Sequence, residues 1–166
     1  MKIIIQLFVT FICLDTTAQS KKETIDWLNG KFSLNTSYVI KTGEYTFPYT
    51  CNVHINENGT FVIKTEELSF KDYHVINTQY AYGNIQDFNP GSAKIYNMDE
   101  YFSIQMNCTN SKSCVKRSGG YKVDNHNSNG IGLGVMLRTN DADFANRMLK
   151  AVKHLITLFG GKKEAF

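Results

Sequence analysis

From Tyr38 to Leu137 apolar residues recur mainly at every second position, and beyond Asp141 the spacing becomes three and four. That change of period constrains the fold more than any other feature of the chain. Period two sends alternate side chains to opposite faces of a strand, giving strands with one apolar and one polar face. A sheet built from them needs its apolar face covered. The cover comes last in the chain: Phe144, Met148, Ala151, Val152, Leu155 and Phe159 trace one helical face, with Arg147, Lys150 and Lys153 outside it. Asn140 or Asp141 caps this helix, and Gly160-Gly161 ends it.

The strands expected from the alternation cover residues 38–41, 49–55, 60–65, 73–85 (one strand or two, broken near Gly83), 93–96, 101–108, 114–117 and 131–137. Asn56-Glu57-Asn58-Gly59 and Asn89-Pro90-Gly91 mark turns. The longest loop expected is 118–129. Before the strands, Ile25, Leu28 and Phe32 predict a helix that Ser20 and Glu23 cap as a box and that Gly30 ends near Asn29. The fold class is therefore mainly β (α+β). It is a small antiparallel barrel or sheet of seven to eight strands, with an N-terminal helix and a capping C-terminal helix.

The segment 1–18 stands outside that pattern. Lys2, the apolar run from Ile3 to Leu14 and the small residues Thr16 and Ala18 have the layout of a secretory signal. The run of about 12 residues is shorter than the roughly 20 that span a bilayer. Cys13 is not read as a lipidation site, because bulky Ile12 precedes it. Residues 19–166 then form one domain without a transmembrane segment, exported to the periplasm or the exterior. An apolar content of 42% in 166 residues is sufficient for one core and excludes wholesale disorder. Charge is uneven: residues 19–100 carry 7 basic and 10 acidic groups, residues 101–166 carry 10 and 4. The basic groups are dispersed, which excludes a nucleic-acid partner of the usual clustered kind.

The strand series closed by one helix resembles the pleckstrin-homology-like (PH-like) architecture. Leu137-Arg138-Thr139-Asn140-Asp141, Ala145-Asn146-Arg147, the run Ala151 to Ile156 and Gly160-Gly161 are similar to the ends of uncharacterised exported proteins from Bacteroidota. Thr17-Ala18-Gln19-Ser20 is similar to the ends of their signals. The resemblance implies a fold and a compartment, and no activity. The basic phosphoinositide-binding loop of pleckstrin-homology domains has no match.

Of the cysteines left after cleavage, Cys108 and Cys114 enclose five residues and can face each other across a hairpin. That bridge is favoured over free thiols or pairing with Cys51, which falls on an apolar strand face. Cys51 and His54 resemble half a zinc site, but residues three apart on a strand point oppositely, so no metal is expected. Gly130, Gly132 and Gly134 leave one strand face bare for bending or close approach by another element, the helix being the candidate. His126, with Asp124 and Asn127 in the polar loop, and the tyrosines Tyr73, Tyr80 and Tyr82 form the candidate contact surface. The reading is a monomeric, non-catalytic binding or scaffolding domain without a cofactor, whose partner is a protein, a glycan or a lipid. The alternatives are a carrier of a small apolar ligand or lipid and, behind it, a hydrolase using His126. Intact-mass measurement of exported protein should find Gln19 at the N-terminus; a mature chain retaining Cys13 contradicts the cleavage.

Overall fold

A computed structural model describes residues 20–34, 37–42, 45–98, 101–109, 113–119, 128–130, 132–139 and 141–161. The segment 1–18, expected to be a secretory signal, and the candidate contact residues Asp124, His126 and Asn127 lie outside the described residues.

Helix α1 spans Lys21–Ser33. The Glu23 amide donates to Ser20 Oγ at 3.2 Å and the Ser20 amide to the Glu23 carboxylate at 2.7 Å, which completes the capping box. The helix runs through Gly30 instead of stopping at Asn29, because Phe32 is buried a half-turn later with Ile25 and Leu28. Burying that ring outweighs a glycine penalty of about 1 kcal/mol.

Nine strands follow among the described residues: β1 Ser37–Thr42, β2 Tyr45–Ile55, β3 Thr60–Leu68, β4 Val75–Asn84, β5 Lys94–Met98, β6 Tyr101–Asn107, β7 Val115–Gly119, β8 Ser128–Gly130 and β9 Gly132–Leu137. One sheet has the order β1-β2-β3-β4-β7-β8 and the other β5-β6-β9, every pair antiparallel. A closed barrel was one expected form; the strands instead make two open sheets. The ninth strand is β8, inside the stretch expected to be loop. It pairs with β7, whereas β9, one residue further on, pairs with β6. The chain thus passes from one sheet to the other between Gly130 and Gly132.

Glycine permits that passage. A Cβ on Gly132 would stand 2.9 Å from the Met106 carbonyl oxygen, too close for any side chain. The element brought close is β6, not the helix. Arg117 Nη2 donates to the Gly132 carbonyl at 2.9 Å and ties the seam from the other sheet. Strand β2 begins four residues earlier than the alternation suggested and contains Pro48. The β3 ladder reaches only Tyr49, so a residue without an N–H is tolerated there.

Helix α2, Ala142–Leu158, is capped by Asp141, which accepts from the Phe144 amide at 2.9 Å. Its 17 residues extend about 26 Å. Ala145, Met148, Val152, Leu155 and Ile156 are buried on one stripe. Leu28 and Phe32 of α1, Phe61 and Ile63 of β3, Met106 of β6 and Leu133 and Val135 of β9 meet that stripe in one core. Between them lies an apolar cavity of about 20 Å³.

One polar contact fastens α1 to the sheet. The Asn29 carboxamide donates to the Ile55 carbonyl at 2.8 Å and accepts from the Ile55 amide at 2.9 Å, taking the place of a neighbouring strand. Asn29→Ala strips both main-chain groups of their partner. It should lower unfolding free energy in urea by about 2 kcal/mol, from two half-buried hydrogen bonds; a loss under about 0.5 kcal/mol would mean that water replaces them.

Candidate interaction surface

Alternation fixes what β3 and β4 present. Phe61, Ile63 and Glu67 are buried on the inner face of β3, so Val62, Lys64 and Glu66 face outward. On β4 the outward positions are Ile76, Thr78, Tyr80 and Tyr82. Register aligns these residues into rows. His54, Val62, Tyr82 and Lys116 run across β2, β3, β4 and β7, and Asn52, Lys64, Tyr80 and Ser118 form the next row.

The exposed large apolar side chains are not scattered. Nine are found among the described residues, and seven belong to this one hairpin: Val62, Phe70, Tyr73, Val75, Ile76, Tyr80 and Tyr82. Single exposed apolar residues are ordinary, but a concentration of this kind marks a contact surface. Ion pairing organises its polar part. Lys64 Nζ lies 2.6 Å from Glu66 Oε1, and Thr50 Oγ1 donates to the other Glu66 oxygen at 3.3 Å. The Lys64 hydrogen bond holds the Glu66 carboxyl below its ordinary value, and the same bond raises Lys64.

At the tip, the turn between β3 and β4 is tightly bonded. The Ser69 amide donates to the His74 carbonyl at 2.8 Å and the Tyr73 amide to the Ser69 carbonyl at 3.0 Å. Ser69 Oγ accepts from the Lys71 amide at 3.2 Å. His74 Nδ1 meets the Asp72 carboxylate. Hydrogen bonds from Ser69 first, and from His74, lower the Asp72 carboxyl. Tyr73 takes a φ of 57°, and no other non-glycine residue described has a positive φ. A bulky side chain there is strained, at about 1–2 kcal/mol.

Of the expected contact residues, Tyr80 and Tyr82 stand together on the outer face, at 39% and 37% exposure. Tyr73 belongs to the tip, not to the strand that was expected to begin there. Phe70, Val75 and Ile76 were missed by sequence reasoning. The available signal was two aromatics in a run, Ser69 to His74, containing no Gly, Pro or Asn. Near the same end the inner face becomes polar: Tyr49, Glu67 and Asn77 share a row, and Asn77 Oδ1 is buried without a hydrogen-bond partner. Burial, and then the Glu67 charge, raises the Tyr49 phenol.

Cys108 and Cys114 are disulfide-bonded, with Cα atoms 5.8 Å apart. Cys51 is a buried free thiol, pushed up by burial despite a hydrogen bond with Thr65. His54 is exposed on the opposite face of β2 from Cys51, so the two diverge as the strand period requires. Among the described residues no group of three or more His, Cys, Asp or Glu is placed to hold a metal ion. No helix described is long and apolar enough to cross a membrane. No protein-family model, curated protein or solved structure matches the chain.

The lowered carboxyls make a pH prediction. Glu66 and Asp72 have folded pKa values below their unfolded ones, so their contribution is complete above the ordinary carboxylate range and is lost as pH falls through the lowered values. Melting temperatures measured from neutral pH into the acid range should fall less steeply for Glu66→Gln than for the wild type. Identical acid limbs would show that the Lys64 pair contributes nothing.

Proposed function

We propose that the protein is an exported, non-catalytic binding domain whose contact surface is the outer face of the β3–β4 hairpin. The observation that carries this reading is the concentration of seven of the nine exposed large apolar side chains on that hairpin, four of which, Val62, Ile76, Tyr80 and Tyr82, lie on its outer face. Tyrosine suits such a role, since its ring supplies contact area at low entropic cost and its hydroxyl both donates and accepts. Lys64, Lys116 and His54 frame Tyr80 and Tyr82 with polar groups, giving an apolar centre and a polar rim. Export is supported by the leader and by the Cys108–Cys114 bridge, because disulfides persist in oxidising compartments. The PH-like resemblance agrees with a binding role and assigns no ligand.

The carrier alternative requires an internal space. The cavity of about 20 Å³ is roughly the room needed by one water molecule, so a lipid chain would have to part α2 from the sheets. For the hydrolase alternative, His126→Ala abolishing ester or peptide hydrolysis would replace the binding reading.

The test compares wild type with Tyr80→Ser/Tyr82→Ser for retention on cell-envelope fractions. The variant should lose about tenfold in retention, as expected on removing two interface tyrosines, while still melting cooperatively, because both side chains lie on the outer face and not in the core. Equal retention of the two proteins overturns the assignment of this face.

A further inference from the structure

We propose that Tyr49, Glu67 and Asn77, one row on the inner face of β2, β3 and β4, form a binding site for a small molecule carrying a primary ammonium group. The row lies on the opposite face of the sheet from Tyr80 and Tyr82, so it goes beyond the contact surface and can fail without it.

Register sets the three side chains side by side, Tyr49 against Glu67 and Glu67 against Asn77. Adjacent strands stand about 4.8 Å apart, so the row spans about 10 Å with Glu67 at its centre. Glu67 is 5% exposed and Asn77 8%, and among the described residues no other carboxylate is buried so deeply. Further along the same face Phe61 and Ile63 belong to the apolar core. Toward the tip that face turns polar, and the ladder is irregular there: Glu67 pairs with Asn77 but Leu68 with Val75, which leaves Ile76 over. A bulge of this kind re-aims the side chains beside it.

The decisive atom is Asn77 Oδ1, buried without a hydrogen-bond partner. Such an atom costs stability, so a native fold that keeps one calls for an explanation. What it needs is a donor. The adjoining Glu67 carboxylate has about four acceptor positions, more than a single partner fills, and its charge selects a donor that is also a cation. Burial, and then the Glu67 charge, raises the Tyr49 phenol, which therefore stays neutral and has an oxygen that can accept as well. Acceptors on three sides of one point suit an ammonium group, which has three donors and no acceptor. A metal ion fits less well. Calcium takes about six or more oxygen ligands, usually with several carboxylates, and among the described residues no three His, Cys, Asp or Glu are grouped to hold one. Access is from the side: Tyr49 and Thr65 are half-buried and Gln79 is exposed on the same face, so solvent reaches the border of the row without crossing the core.

The probe is ethylammonium chloride, set against tetramethylammonium chloride and calcium chloride at equal ionic strength, and the readout is the melting temperature of the full domain. Ethylammonium should raise it progressively with concentration. Tetramethylammonium, a cation without N–H donors, should not. Asn77→Leu should weaken ethylammonium binding about tenfold. Without the probe it should melt at the wild-type temperature or above, because an apolar side chain replaces an acceptor that has no partner. Glu67→Gln keeps the shape, removes the charge and should weaken binding at least about tenfold. No shift, equal shifts from the two ammonium salts, or a shift that either variant retains would overturn the proposal. So would a response to calcium alone, which would make the row a metal site. A lower melting temperature for Asn77→Leu without the probe would overturn it too, since an ordered water would then already serve Oδ1.

Discussion

The architecture depends on the close approach of Gly132 to β6. Two open sheets enclose a single core here because one stretch of chain belongs to both, pairing with β7 through β8 and with β6 through β9. The Met106 carbonyl occupies the space that a Cβ at residue 132 would need. With the sheets held in that relation, their apolar faces converge and leave one gap for the α2 stripe and Leu28 and Phe32 of α1. The same convergence decides the exterior. Once Phe61 and Ile63 are committed inward, the strand period commits Val62, Tyr80 and Tyr82 outward.

The parts of this arrangement legible in the sequence are those that depend on residues close together in the chain. The Ser20–Glu23 box and the Cys108–Cys114 pair follow from local spacing and are present as read, while of the α2 stripe Met148, Val152 and Leu155 are buried as read and Ala145 and Ile156 are buried where Phe144, Ala151 and Phe159 are only half-buried. The switch between sheets was not legible, because alternation within a strand identifies its faces and not its neighbours. The three glycines signalled a close approach but not its direction, which β6 determines. The length of α1 was misjudged for a related reason. Gly30 is a local signal against helix, and the burial of Phe32 is a tertiary gain that exceeds it.

The contact surface was half legible. Tyr80 and Tyr82 were singled out, with Tyr73, as aromatics of a candidate contact surface. Phe70, Val75 and Ile76 were not, since the usual inference from an apolar residue is burial and these three reverse it. Nor does a tyrosine suggest left-handed backbone, a conformation normally inferred from glycine or asparagine. Tyr73 departs from local preference at the place where the surface is most apolar. The loop residues Asp124, His126 and Asn127 were selected for their chemistry alone, and they lie outside the described residues.

The Cys108–Cys114 bridge also has a mechanical meaning. It joins the end of β6 to the start of β7, which belong to different sheets, and it stands on the same side as the Arg117–Gly132 bond and the β8–β9 passage. On the opposite side, the Tyr101 hydroxyl donates to the Val39 carbonyl across the gap between β6 and β1. One margin is thus covalently riveted and the other held by a side chain. The two margins are therefore fastened unequally, covalently at the β6–β7 end and by a side-chain hydrogen bond at the Val39 end.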